Sequence, residues 1–413
     1  MKISIITHYY LPEIGAPQAR LSEMASEWQK NGHDVLVVTC FPNHPTGTIH
    51  PDYQAVFKKK RYMEERLNDI SVVRCWVYAT PNKGFAKKIL GHISFMFSSI
   101  FQAWQKVKET DIIIASSPTF FSVFSAWFFS KLFKKPYIFE VRDLWPAIFI
   151  DLGVLKNSII IHLLEKLELF LYKQAAAVVP VTNAFAENIV QRGVQREKVS
   201  VITNGANLEL FKPIAKAYDL KKQIGVEDKF VVLYIGAHGI SHALTKIVDA
   251  ADALQKETSI QFLFVGEGAE KANLIAYANK LKLSNITFLP GQPKDKVPNF
   301  YSIADIGLVP LRNIPLFETF IPSKMFELMA MEIPIVASVS GEAREILQRS
   351  MGALVGDPED VSAIIYNILK LVNDKILLEQ LGKHGRKFVV ENYNRVVLAE
   401  KYLKVIEKCI SQT

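Results

Sequence analysis

Cysteine is scarce in this 413-residue chain: there are three, Cys40, Cys75 and Cys409, at spacings that match no metal-ligand pattern. That excludes a disulfide-built scaffold and a zinc module, and it fits a reducing compartment. Cys40 and Cys75 stand in apolar runs and read as core thiols. Long charge-free apolar runs are missing too. The two longest, "ILGHISFMFSSIFQAW" (89–104) and "PTFFSVFSAWFFS" (118–130), are stopped by lysines, short of the ~20 residues a spanning helix needs. Met1-Lys2 leads directly into "ISIITHYY", too short for the apolar core of a signal peptide, so a buried strand is expected there. Low-complexity tracts, short internal repeats and a full phosphate-loop motif are absent. No nucleic-acid-binding motif accompanies the basic residues. The expectation is a cytoplasmic protein, peripheral on the inner face of the cell membrane, with no nucleic-acid partner.

What is present is a long, apolar, basic chain. At 413 residues and 49% hydrophobic content, two domains are expected rather than one core. The net charge is +8, and it is unevenly placed: the first 200 residues hold 24 lysines and arginines against 17 acids, while the remainder is nearly balanced. The excess gathers at "KKKR" (58–61), "KGFAKK" (83–88) and "KLFKK" (131–135), each beside apolar or aromatic residues. Such mixtures suit an anionic membrane face. They are also compatible with the solvated surface of a basic protein.

Periodicity alternates strand and helix throughout. The strand runs of the first half are "KISIITHYY", "DVLVVTC", "ISVVRCWVY", "DIIIASS", "PYIFEVRD" and "AAVVPVT". Helical stretches separate them, such as "PQARLSEMASEWQKNG", where Gly32 is placed as a C-cap. After Phe211 the pattern restarts with "KFVVLYIGAHG", "SIQFLFVGEG", "NITFLPG", "IGLVPL" and "IPIVASV". Continuous apolar runs with helices between them indicate parallel sheets covered on both faces. The expected organisation is an N-terminal domain over 1–198, a connection over 199–213 around Asn204-Gly205, and a C-terminal domain over 214–389. The final helix, 390–413, is placed back on the first domain.

In this architecture ligands meet the carboxyl ends of the strands, which draws attention to the residues found there. Gly15 lies between the first strand and the first helix, where a glycine lets a phosphate or sugar oxygen approach the backbone, or simply makes the turn. In the second half, Gly236 and Gly239 flank His238 after one strand, and Gly266 and Gly268 follow the next. "ETFIPSKMFELMA" (318–330) places Ser323 and Lys324 at a helix start and Glu327 one turn further in. Ser323 either caps the helix or meets a phosphate, Lys324 adds a full charge to the positive helix end, and Glu327 has the character of a ribose-hydroxyl acceptor. "FEVRDLWP" sets Glu140, Arg142 and Asp143 at a buried strand end, either as an internal salt-bridge cluster or as groups for hydrogen bonding and proton transfer. His44, in the loop "FPNHPTG", is a further candidate.

Taken in order, "THYYLPEIGAPQARLSEMA", "FPNHPTG", "ASSPTFF", "FEVRDLWP", "VITNGANLELF", "YIGAHG", "FVGEG" and "PSKMFELMA" resemble the retaining glycosyltransferases of family 4, in particular bacterial surface-polysaccharide N-acetyl-L-fucosamine transferases. The resemblance implies an α/β GT-B fold, two Rossmann-like doubly wound parallel-sheet domains facing across a cleft. It implies metal-independent transfer, with no cofactor, from a UDP-sugar bound on the second domain to a lipid-linked saccharide on undecaprenyl diphosphate held by the first. The sugar implied is N-acetyl-L-fucosamine or another N-acetylhexosamine. Alternatives on the same fold are a UDP-sugar epimerase and a non-catalytic nucleotide-sugar-binding subunit. By the resemblance Glu327 is the second glutamate of the E-x7-E motif and holds the ribose, Ser323 and Lys324 meet the diphosphate, and Gly15 lies near it. The helix end and Lys324 take the leaving-group charge, and Asp143 or Glu140 lies near the acceptor hydroxyl. The chain departs from the family pattern at Thr319, where relatives carry the first glutamate, and at Ala237 and His242, where many carry arginine and lysine. More phosphate charge then falls on Lys324 and Arg312. Arg142, His44, Gly236, His238, Gly239, Gly266 and Thr319 complete the expected substrate contacts.

Overall fold

The computed structural model describes all residues except 14, 45, 82–84, 118–119, 148–149, 151–152, 154 and 413. Ile14, Pro45, Lys83, Gly84, Pro118 and Thr119 of the stretches named above therefore lie outside the described residues. The chain divides into two units, residues 1–203 with 396–413, and residues 204–395.

The first unit carries a seven-stranded sheet in the order β3-β4-β2-β1-β5-β6-β7. Its strands are β1 (Lys2–Ile6), β2 (Asp34–Cys40), β3 (Met63–Leu67), β4 (Ile70–Cys75), β5 (Ile112–Ser116), β6 (Tyr137–Val141) and β7 (Ala177–Pro180). All neighbours run parallel except β3, which pairs antiparallel with β4 at the edge. Helix α1 (Ala16–Lys30) buries Leu21, Met24, Ala25 and Trp28 against this sheet, the i, i+3, i+4, i+7 stripe of an amphipathic helix. The long helices α2 (Phe85–Gln102) and α3 (Phe120–Phe133) are joined by a 2.9 Å bond between the Ser99 and Ser125 hydroxyls. Helix α4 (Ser158–Gln174) is capped by Asn157, whose side chain accepts from the N–H groups of Ile159 and Ile160.

The second unit has a six-stranded, wholly parallel sheet in the order β10-β9-β8-β11-β12-β13. The strands are β8 (Phe230–Ile235), β9 (Ile260–Val265), β10 (Ile286–Leu289), β11 (Ile306–Pro310), β12 (Ile335–Ser338) and β13 (Ala353–Gly356). Helix α5 (Lys324–Ala330) leads into β12 and buries Met325, Phe326, Leu328 and Met329. The last helix, α6 (Arg395–Ser411), places Leu398, Ala399, Tyr402, Leu403 and Ile406 in the core of the first unit. There the Trp28 indole N–H donates to the Ala399 carbonyl at 3.1 Å, and its ring meets Tyr402 edge-on.

Two features of this topology position the sites. In each sheet one strand has neighbours wound in opposite senses, β1 between β2 and β5, and β8 between β9 and β11. The carboxyl end of such a strand is the place where ligands bind in doubly wound sheets. The stretch 199–213 is divided between the units. Residues 199–202 run along β7, with the N–H groups of Ser200 and Ile202 bonded to the carbonyls of Val178 and Pro180, and Asn204 begins the second unit. All three cysteines are buried, and none is in a disulfide among the described residues. Among the described residues no helix is long and apolar enough to cross a membrane.

Candidate functional site

In the second unit the end of β8 and the start of α5 converge on one ammonium group. The Lys324 Nζ lies 3.6 Å from the centre of the Tyr234 ring, a cation–π contact. The Tyr234 hydroxyl is turned away and donates to the Ala237 carbonyl at 2.6 Å. A Cβ on Gly236 would lie 2.9 Å from that Nζ, so the glycine keeps space open for the ammonium. Nζ has no hydrogen-bond partner among the described residues. Burial pulls the Lys324 pKa down to about 7, with the Glu327 carboxylate opposing part of the shift. Two imidazoles share the site. His238 is fully buried and its pKa falls to about 4, through burial first and then the charges of Lys271 and Lys324. His242 falls to about 3, through burial and then Lys324. At neutral pH the site therefore holds a lysine that gives up its proton far more readily than an ordinary one, beside two neutral rings. The His238 ring nitrogens also have no hydrogen-bond partner among the described residues. A buried cation with no hydrogen-bond acceptor is costly, and an anion placed here would supply the acceptors.

Glu327 lies one turn along α5, half-buried, and accepts from the Tyr301 hydroxyl at 2.9 Å. Ser323 makes no hydrogen bond to the helix N–H groups; of its two expected roles, capping is not realised, and the hydroxyl stays available. Helix α5 has only seven residues, so its dipole is short and Lys324 supplies most of the positive charge.

Several expected site residues have other tasks. The Thr319 hydroxyl donates to the Leu316 carbonyl at 2.6 Å, closing its own turn where a carboxylate was the family pattern. Arg312 ties its backbone N–H to the Ser241 carbonyl, while its guanidinium lies 4.0 Å from the Glu359 carboxylate at the surface. Gly239 has an ordinary negative φ and room for a side chain. Gly266 and Gly268 are required by loop packing. A Cβ on Gly266 would fall 1.9 Å from the Gly236 carbonyl oxygen, and one on Gly268 2.3 Å from the His238 carbonyl oxygen. The two strand-end loops are locked by bonds from the His238 N–H to the Glu267 carbonyl and from the Glu270 N–H to the His238 carbonyl. Gly266→Ala must therefore push apart the loops that carry Gly236 and His238. The expected result is a loss of about 1–3 kcal/mol of stability, the usual range for overpacking, together with weaker nucleotide binding. Urea unfolding and a UDP titration on the same preparation check both.

In the first unit the charged trio separates. Glu140 is fully buried on β6 and is committed to Arg20 of α1, with Nε to Oε1 at 2.5 Å. Of the two roles left open for it, the geometry shows the internal ion pair. Arg142 and Asp143 follow the strand, half-buried, with their N–H groups directed to the Ser117 hydroxyl. Burial raises the Asp143 pKa to about 6, partly offset by Arg142, so this carboxyl is near the balance needed to accept a proton at neutral pH. Gly15 precedes α1 in extended backbone that any residue adopts. The loop of His44 is held by Glu13, whose Oε1 accepts from the N–H groups of Asn43 and His44 at 2.7 and 2.8 Å, and the His44 ring meets Tyr9 edge-on. Tyr234 and Tyr301 escaped sequence reasoning because a tyrosine inside an apolar run looks like core.

The family comparisons agree with this geometry. Residues 15–205 match a glycosyl transferase 4-like domain, and residues 217–388 match the glycosyl transferases group 1 domain. The chain is 27% identical over 378 residues to the putative colanic acid biosynthesis glycosyl transferase WcaI of Escherichia coli K12, covering 89% of this chain and 91% of that one. It is 26% identical over 243 residues to an E. coli UDP-Gal:alpha-D-GlcNAc-diphosphoundecaprenol alpha-1,3-galactosyltransferase, covering 57% and 61%. Among solved structures, sucrose-phosphate synthase from Thermosynechococcus elongatus superposes with a TM-score of 0.78 at 19% identity over all of both chains. Anabaena Alr3699/HepE, in complex with UDP and glucose, superposes at 0.75 and 16% identity over 98% and 99%. The chain thus pairs a glycosyl transferase 4-like domain with a glycosyl transferases group 1 domain and is a glycosyltransferase of the GT-B fold.

Proposed function

We propose that this glycosyltransferase takes a sugar from a UDP-sugar and adds it to a lipid-linked saccharide in bacterial surface-polysaccharide assembly, with N-acetyl-L-fucosamine or another N-acetylhexosamine as the sugar. The observation that carries the donor reading is the buried, unpartnered Lys324 ammonium. The diphosphate of a nucleotide supplies the anion it lacks, and charge-assisted bonds of that kind are short and strong. Glu327, one turn away, takes the ribose hydroxyls. The acceptor reading draws support from the E. coli relative named for a GlcNAc-diphosphoundecaprenol acceptor, and the surface-polysaccharide setting from WcaI. Transfer is metal-independent in this reading, because Lys324 stabilises the charge that develops on the leaving phosphate. It proceeds with retention: the leaving phosphate assists removal of the acceptor proton, and Asp143 orients the hydroxyl.

A panel of UDP-sugars incubated with and without a lipid-linked acceptor tests this. UDP release that requires acceptor, with a product of the donor's anomeric configuration by NMR, is the expected result. Turnover of donor alone would make the protein an epimerase, and tight UDP binding without turnover would make it a binding subunit.

The same reading places the protein on a membrane surface. On α2 Phe97 and Phe101 are 53% and 78% exposed, and on α4 Ile159 is 78% exposed, while Lys131 and Lys134 stand exposed at the end of α3. Lys135 does not belong to this face, since its ammonium donates to the carbonyls of Lys108 and Thr110. Reversing Lys131 and Lys134 to glutamate is expected to weaken co-sedimentation with anionic vesicles about tenfold or more, at about 1 kcal/mol per basic residue removed. Unchanged sedimentation would remove the membrane assignment.

A further inference from the structure

The first unit contains a second basic concavity that the donor reading does not use. It lies at the carboxyl ends of β1, β2 and β4, and is lined by His8 and Tyr9 after β1, Asn43 and His44 after β2, and Lys87, Lys88 and His92 on α2. Residues 77–80 also line it. The His8 and His92 rings are 4.5 Å apart edge-to-face, with their Nδ1 atoms 3.5 Å from one another. His8 is buried, packed also on Phe95 and Tyr9. No carboxylate is among the described lining residues. Two acids act on the lining residue Tyr9, Glu13 and Asp143, and the Glu13 Oε1 accepts from the N–H groups of Asn43 and His44.

We infer that this pocket is an oxyanion-binding subsite for a phosphate-type group, with Lys88, His92 and His44 as its donors and His8 fixing the His92 ring. The inference goes beyond the donor assignment and does not rest on it. Three imidazoles and two ammonium groups gathered without an acid repel one another's protons. In the free protein the His92 pKa is about 3, through burial and then Lys88. His8 is pushed well down by burial, His92, Lys88 and His44, and His44 is lowered by desolvation and Lys88. The pocket therefore rests as neutral rings beside two lysines, and desolvation lowers the Lys88 pKa as well. An oxyanion reverses the local potential, so the His44 and His92 rings hold a proton more readily as they gain a hydrogen-bond acceptor. The pKa values in the bound state exceed those in the free state, so binding takes up protons and strengthens as pH falls through the bound-state values. Lys88 acts on all three rings and sets the sign; Lys87 also lines the pocket, and the acids Glu13 and Asp143 act on Tyr9.

The test uses the full-length protein carrying Lys324→Ala, which weakens the second-unit site, with histidine carbon-13 labelled and His8, His44 and His92 assigned through their glutamine variants. Inorganic pyrophosphate is titrated while the ring resonances are followed across pH. The expected result is a rise of about one pKa unit or more for His44 and His92. Lys88→Ala, at an exposed position, should weaken binding by about tenfold. His92→Gln should do the same. If these resonances do not respond, or if affinity is unchanged in both variants, the subsite is refuted whatever the UDP-sugar assays show. Farnesyl diphosphate and farnesol distinguish the sources. Farnesyl diphosphate at least tenfold tighter than pyrophosphate, with farnesol inert, assigns the site to a lipid-linked diphosphate. Equal affinities assign it to a free phosphate group.

Discussion

Lys324→Met is expected to weaken UDP binding by about 10- to 150-fold, the equivalent of losing a charged hydrogen bond worth ~1.5–3 kcal/mol, and at the same time to raise the melting temperature of the ligand-free protein. The two effects share one cause. Burial holds the Lys324 pKa at about 7 in the folded chain, against an ordinary 10.5. A lysine whose folded pKa is depressed costs stability wherever it must be charged in the folded state. That cost is full below pH 7, shrinks as pH rises from 7 toward 10.5, and is gone above. A methionine of similar shape escapes it, because it needs no proton and packs on the Tyr234 ring. The stabilisation should therefore be larger at pH 6 than at pH 9, which calorimetry on both proteins without UDP reads directly. Added UDP should raise the melting temperature of the natural protein and leave the variant nearly unmoved.

The pH dependence of binding follows with its own sign. A bound diphosphate raises the Lys324 pKa above its free value of about 7. Between those values binding takes up a proton, so UDP affinity falls as pH rises above 7 and levels off beyond the bound-state pKa. Isothermal titration in two buffers of different ionisation enthalpy at pH 8 should show that proton uptake in the natural protein and lose it in Lys324→Met. An unchanged dissociation constant in the variant would move the phosphate site elsewhere.

Much of this was legible beforehand, and for physical reasons. Strands buried on both faces must be continuously apolar, so "DIIIAS" and "FVVLYI" announced β5 and β8. The exceptions are edge strands. β3 reads "MEERL" and alternates charge because one face is wet, with Glu65 bonded to Arg74 of β4. β13, four residues long and only partly buried, has too little pattern to stand out. The Ser323–Lys324–Glu327 group was visible because polar residues at a helix start are local in sequence. Tyr234 was not, because its meaning depends on Lys324, ninety residues later. The glycines of the β9 loop looked like ligand contacts because close approach of a substrate and close approach of another loop require the same missing side chain. Glu140 posed the same problem for charge: its partner Arg20 is 120 positions away, and nothing local distinguishes a paired acid from a working one.

That pair carries the largest stability effect in the first unit. Arg20 is itself buried on α1. Its Nε bonds Glu140 on β6, while Nη1 and Nη2 donate to the carbonyls of Thr203 and Ile202 at 2.6 and 2.8 Å. One guanidinium thus bonds one carboxylate oxygen and two carbonyls where α1, β6 and the chain beyond β7 meet. Arg20→Ala leaves the Glu140 charge buried and those carbonyls without their donor, at an expected cost of about 3–5 kcal/mol. The first unfolding transition in urea, assigned to this unit by hydrogen exchange over β1, β5 and β6, measures it. Glu140→Gln should cost less, because the amide keeps an acceptor for Arg20 without the unpaired charge. The double variant Arg20→Met with Glu140→Leu should recover much of the loss, because apolar replacements of a buried ion pair leave nothing desolvated and unpaired. The cycle also decides the role of Glu140. A structural acid loses stability in Glu140→Gln while the folded fraction keeps its turnover number. A proton-transferring acid would show the opposite, an intact fold with turnover reduced by a factor of about 100 or more.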